Sequence, residues 1–96
     1  MKVVLSPRAL HDLDSQLQYL IDENAARAAR TLKTRVMQFL RSTLARHPRV
    51  GLPIEHRGLY ECWIPGTRLV NWYRITPGAI EIARFWHTSQ DRQSAP

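Results

Sequence analysis

The chain has 96 residues, 44% of them hydrophobic, a net charge of +6 and one cysteine, Cys62. That length supports one small domain with a single core. It excludes an intrachain disulfide, and no run approaches the roughly 20 apolar residues that a membrane helix needs.

Met1 to Pro7 opens with a short β-prone run, Lys2 to Leu5, which Pro7 cuts off. The run is too short for a signal peptide, so a cytoplasmic protein is expected. Ser6 suits an N-cap, and Pro7 suits the first helical position, where its missing N–H has no partner to lose. Leu10, Leu13, Leu17, Leu20 and Ile21 then recur at spacings of three and four, the stripe of an amphipathic helix. Asn24 is expected to cap a second helix, Ala25 to Arg46, with Ala29, Leu32, Val36, Leu40 and Leu44 as its apolar stripe. The joint is very short, so the two helices form an antiparallel hairpin. His47-Pro48 stops the second helix, because a residue before proline is pushed out of the α region.

Arg49 to Gly58 reads as a loop. Leu59 to Ile64, Arg68 to Ile75 and Ala79 to His87 read as strands, the last two joined by the turn Thr76-Pro77-Gly78. Gln90 to Pro96 is a polar tail, expected to fray. The order is β-α-α-β-β-β: an α+β domain spanning residues 1–96, with a helical hairpin on one face of a small antiparallel sheet.

Charge is unevenly placed. Asn24 to Ile54 has no acidic residue and seven basic ones, including Arg27, Arg30 and Lys33. This asymmetry points to an anionic partner, either nucleic acid or an acidic protein segment. For any one of these arginines, a solvated helix face is the simpler explanation.

The end of the chain carries the most specific pattern. Gly66-Thr67-Arg68-Leu69-Val70-Asn71-Trp72-Tyr73-Arg74-Ile75 is followed, after the turn, by Ile80-Glu81-Ile82-Ala83-Arg84-Phe85-Trp86-His87-Thr88-Ser89-Gln90-Asp91. This pairing resembles the ParE/RelE superfamily of type II toxin–antitoxin toxins. So do Ser6-Pro7-x-Ala9-x-x-Asp12-Leu13 after the first strand and His47-Pro48-Arg49-Val50-Gly51 after the second helix. The resemblance covers nearly the whole chain and implies the β-α-α-β-β-β toxin fold.

Within that superfamily the implied chemistry divides. RelE-like members cut messenger RNA on the ribosome, which needs cations for the scissile phosphate and proton-transfer groups. Here the candidates for those roles are Arg68, Arg84, His87 and Tyr73. ParE-like members have the same fold, lack that set and inhibit DNA gyrase by binding it. The ending His87-Thr88-Ser89-Gln90-Asp91 has no arginine directly after the histidine and no terminal tyrosine, and it resembles the ParE-type ending. A cofactor-free growth inhibitor directed at gyrase is therefore expected, with an endoribonuclease as the alternative. The resemblance also implies a small acidic antitoxin, partly disordered when free, that forms a hetero-oligomer with the toxin. Arg27, Arg30, Lys33, Arg68, Trp72, Arg74 and Arg84 are the candidate contacts for antitoxin or target. A non-toxic basic nucleic-acid-binding module is a third reading, permitted by the charge but supported by no base-reading motif.

Each candidate also has a structural reading. His87 either transfers a proton or ends its strand and ties down the tail. Trp63, Trp72 and Trp86 lie on successive strands, where core packing is expected for two and exposure for Trp72. Arg84 shares a strand face with Ile80, Ile82 and Trp86 and so needs a partner, for which Glu61 is the candidate. His11, His47 and His56 form no metal-ligand spacing.

Overall fold

The computed structural model describes residues 1–55 and 57–89. The tail proposed for residues 90–96 lies outside them. In chain order the elements are β1 (Lys2–Leu5), α1 (Pro7–Asp22), α2 (Ala26–Gln38), a π-helical segment (Phe39–Leu44), β2 (Leu52–Ile54), β3 (Leu59–Trp63), β4 (Leu69–Thr76) and β5 (Ala79–His87). The five strands form one sheet in the order β1-β5-β4-β3-β2. All pairings are antiparallel except β1 with β5, which is parallel. The two helices pack on one face, as the helical pattern requires.

Local chemistry explains the start of α1. The Ser6 hydroxyl accepts from the Ala9 N–H at 3.0 Å, and Pro7 occupies the first turn. The helix joint differs from the expected one. Asn24 adopts φ 60°, a left-handed conformation that asparagine tolerates better than most residues, and Ala25 takes the cap position without a side-chain bond. Asn24 therefore turns the chain and does not cap α2.

The second helix also departs from a regular spiral. Its last stretch widens into the π-helical segment, where the Ser42 hydroxyl donates to the Gln38 carbonyl. Phe39, Leu40 and Leu44 of this segment are all buried. The loop expected over Arg49–Gly58 contains a short strand, β2, which pairs Leu52–Ile54 with Leu59–Glu61. Pro53 sits in this edge strand, a place where its missing N–H is tolerated.

The main core lies between the helices and the sheet. Leu13, Val36, Leu40, Tyr73, Ile80, Ile82 and Phe85 belong to it, with Leu17 and Leu32 packed against its border. A second, smaller cluster of Val70, Trp72 and Trp86 lies apart from this core, with Ile54 and Leu59 against it. The rings of Trp72 and Trp86 meet edge to face, centroids 5.7 Å apart. Asn71 is fully buried, and among the described residues neither of its side-chain polar atoms has a hydrogen-bond partner, a burial that nothing in the structure explains.

Candidate functional site

The four groups proposed for RNA cleavage separate into two places. Tyr73, in mid-β4, is fully buried. Its hydroxyl donates to the Pro48 carbonyl at 2.8 Å and accepts from the Gly51 N–H at 3.0 Å. Burial pushes this phenol up from its ordinary value of 10.0, partly offset by the Gly51 hydrogen bond. Tyr60 stacks on its ring at 5.3 Å, and Arg49 donates to the Tyr60 hydroxyl at 2.8 Å. Gly51 fits because a Cβ there would lie 2.8 Å from both the Tyr73 hydroxyl and the Glu61 carbonyl. Tyr73 thus fastens the His47–Gly51 loop to the sheet.

Arg84 is held by a different element from the one expected. Its partner is Asp12 of α1, not Glu61. Nε and Nη2 reach the two carboxylate oxygens at 2.6 and 3.1 Å, and Asp12 also accepts from the Phe85 N–H at 3.0 Å. The reason lies at the edge of β5. β1 accompanies β5 only as far as Ile82, where the Ser6 N–H bonds the Ile82 carbonyl and the Ser6 hydroxyl bonds that of Ala83. Beyond that point the edge needs another partner, and Asp12 supplies it. Glu61 instead accepts from Trp72 Nε1 at 2.9 Å.

A register shift sits at the same place. Trp72 pairs with Arg84 but Tyr73 pairs with Ile82, leaving Ala83 as the extra residue of a β-bulge. The slip sends Phe85 into the main core and Trp86 into the smaller cluster. The strand face drawn through Ile80, Ile82, Arg84 and Trp86 is therefore broken after Ile82.

Arg68 and His87 do come together. They border a cleft of about 220 Å³ at the end of the sheet, with Gln16 and Tyr19 of α1 and Leu32 of α2 opposite. The register places Leu69 across from His87, and the Thr88 N–H donates to the Arg68 carbonyl at 2.8 Å. His87 Nδ1 accepts from the Ser89 N–H at 3.1 Å and lies 2.7 Å from the Ser89 hydroxyl. A backbone donor on Nδ1 places the proton of the neutral ring on Nε2. Arg35 packs against Gly66, where a Cβ would collide with its guanidinium. Gly66 itself adopts φ 78°.

Comparison with known proteins settles the family. The model describing the ParE toxin of the type II toxin–antitoxin system, parDE, matches residues 3–92. The chain belongs to the ParE toxin family. Among solved structures, this toxin is similar to a chain of the chromosomal ParDE toxin–antitoxin system from P. aeruginosa. The TM-score is 0.73 and the identity 17%, covering 91% of this chain and 95% of that one. It is also similar to a chain of the toxin–antitoxin complex RelBE2 from Mycobacterium tuberculosis. There the TM-score is 0.63 and the identity 24%, covering 93% and 92%. At these identities the likeness shows the shared fold. No curated, characterised protein matches the chain at a significant level.

The toxin's remaining candidates are cationic and exposed. Arg27, Arg30 and Lys33 lie exposed on α2. A groove of about 670 Å³ continues along this surface, bordered by Lys33, Met37 and Arg41. Arg74 is half exposed and pairs with Glu81 at 3.4 Å. The tryptophans reverse the expected order of exposure: Trp72 is 5% exposed and Trp63 is 62% exposed. Arg57 lies over the Trp72 ring, 5.3 Å from its centroid, and adds to the cover. Among the described residues, no group of three metal-ligating side chains converges, and no helix is long and apolar enough to cross a membrane.

Proposed function

We propose that this ParE-family toxin is a cytoplasmic growth inhibitor that acts by binding DNA gyrase and is neutralised by a small acidic antitoxin. The observation that carries the binding reading is the division of the four nuclease candidates. Tyr73 is buried and fastens the loop, and Arg84 is enclosed with its Nε and Nη2 on Asp12, so of the four only Arg68 and His87 share a cleft. Two groups give a phosphate contact and one proton-transfer residue. Cleavage at a ribose needs a second proton-transfer group to serve the leaving oxygen. The acid-free surface of α2 supports the antitoxin half of the reading, since exposed Arg27, Arg30, Lys33 and Arg41 complement an acidic segment that folds as it binds.

A second reading is a RelE-like endoribonuclease built on Arg68 and His87, in which the exposed Tyr19 at the same cleft would serve as the second proton-transfer group that the four named candidates do not supply there. One experiment separates the two. Purified toxin is incubated with gyrase and relaxed plasmid, and separately with translating ribosomes. The expected result is loss of supercoiling and intact messenger RNA, with His87→Gln still inhibitory. Cleavage of ribosome-bound messenger that falls about 100-fold or more in His87→Gln would replace the binding reading with the nuclease.

A further inference from the structure

Leu52 is 76% exposed, more than any other large apolar side chain among the described residues. It does not stand alone. Trp63, 62% exposed, and Val50, 47% exposed, lie with it around a recess of about 220 Å³ that Gly51, Glu61, Cys62 and Val70 also line. Contiguous apolar surface of this kind marks an interaction site, whereas scattered single residues do not. Trp63 is also held in place, for its Nε1 donates to the Thr67 carbonyl at 2.8 Å. A partner that covers this ring therefore freezes little additional motion.

The surroundings decide what kind of partner fits. From Val50 to Thr67 the sequence holds Glu55, Arg57 and Glu61 as its only full charges, whereas the chain as a whole carries +6. This near-neutral stretch offers little to nucleic acid or to an acidic segment, and two copies of an otherwise cationic chain meet here with little repulsion. Strand addition is disfavoured, because Pro53 removes an N–H from the three-residue edge strand β2. Recognition at this edge must run through side chains. The patch sets a projecting Leu52 beside its own recess, and a projection next to a recess is self-complementary under a two-fold rotation.

We propose that the β2–β3 edge is a homodimer interface, in which Leu52 of each copy enters the recess of the other and the Trp63 rings cover the contact. The interface leaves the cationic surface of α2 and the Arg68–His87 cleft open, so it does not depend on which target the toxin binds.

Sedimentation equilibrium of the purified toxin over a roughly 100-fold concentration range tests this, since mass action drives self-association. The mass should rise from the single-chain 11.2 kDa toward twice that value. Leu52→Glu, which forces a carboxylate into each recess, should stay at the single-chain mass throughout, and so should Trp63→Lys. Asp14→Asn, a change on the exposed surface of α1, should dimerise like the unaltered chain. Circular dichroism establishes that each variant is folded. A single-chain mass for the unaltered toxin at every concentration overturns the proposal, as does undiminished dimerisation of folded Leu52→Glu and Trp63→Lys. If the unaltered toxin stays single while Leu52→Glu weakens its complex with the antitoxin, the patch is the antitoxin's and the homodimer is overturned.

Discussion

The middle of the β4–β5 pair and its end use the same residue types in opposite ways. In the middle, Arg84 and Tyr73 are enclosed, and each has two or more hydrogen bonds to elements far away in sequence. At the end, Arg68 is exposed and His87 borders a cleft. An arginine within a strand is therefore no sign of a binding surface in itself. What decides its role is whether a neighbouring element lacks a partner. β5 does lack one beyond Ile82, and the first turns of α1 bring Asp12 there. The end of the sheet has no comparable demand, so its cations face the cleft.

The largest expected effect tests the middle of this pair. Asp12→Ala removes both oxygens that hold Arg84 and also strips the acceptor from the Phe85 N–H. Breaking a buried pair by deleting one partner costs about 3–5 kcal/mol. The Arg84 and Asp12 side chains are 19% and 12% exposed, which places the loss toward the low end. For a domain of this size each kcal/mol shifts the melting temperature by about 4–8 °C. Arg68→Ala, at the end of the same sheet, should change stability by no more than about 0.5 kcal/mol. Equal melting shifts for the two variants would erase the distinction between the regions.

Tyr73→Phe asks whether a single hydroxyl fastens the loop. It leaves the Pro48 carbonyl and the Gly51 N–H without their partner, at a cost of about 1–3 kcal/mol. It should also alter the alkaline limb of the stability curve. A phenol raised by burial is protonated more readily in the folded chain than in the unfolded one. Its contribution is thus whole below the ordinary value of 10.0 and is lost as pH climbs through the raised one. Cys62, likewise raised by burial from 9.0, declines in the same direction. Chemical denaturation between neutral and strongly alkaline pH should show a shallower fall in Tyr73→Phe, with the Cys62 part remaining. An unchanged alkaline slope would mean that the hydroxyl is not the titrating group.

The difference between middle and end was only partly legible in the sequence. The helical hairpin was plain, because Leu13, Leu17, Leu32, Val36 and Leu40 keep helical spacing and all pack toward the sheet. The three long strands were equally clear from their turns. The bulge at Ala83 was not, since a single extra residue leaves no compositional mark yet reverses which face Phe85 and Trp86 serve. The partner of Arg84 was hidden for the same reason: Asp12 is 72 positions away, and only the ending of β1 at Leu5 exposes the edge that it fills. A clue was present in Ser6-Pro7, which fixes where β1 must stop and α1 must start. The strand β2 is three residues long and contains Pro53, so its own residues gave no β pattern. Nothing in the spacing of Arg68 and His87 along the chain brings them together; only the resemblance points to both. Their meeting rests on the register of Leu69 with His87, which the turn at Pro77-Gly78 and the bulge at Ala83 set together.

The smallest expected effect belongs to the surface that neither region consumes. Arg30 and Lys33 are exposed on α2, and among the described residues no ion pair involves either of them. Exposed pairs contribute about 0.2–1 kcal/mol each. Reversing both to glutamate removes attraction to an acidic antitoxin and adds repulsion. Affinity should fall by about tenfold or a few tens of fold, with a steeper salt dependence for the unaltered toxin than for the variant. The stability of the free toxin should hardly move, since the two charges carry no contact inside it. Titration calorimetry at two salt concentrations, with thermal melts of the free proteins beside it, reads both quantities. An affinity that is unchanged at low salt would show that the acid-free stretch is a solvated helix face. The antitoxin would then have to be held by apolar contacts elsewhere on the toxin.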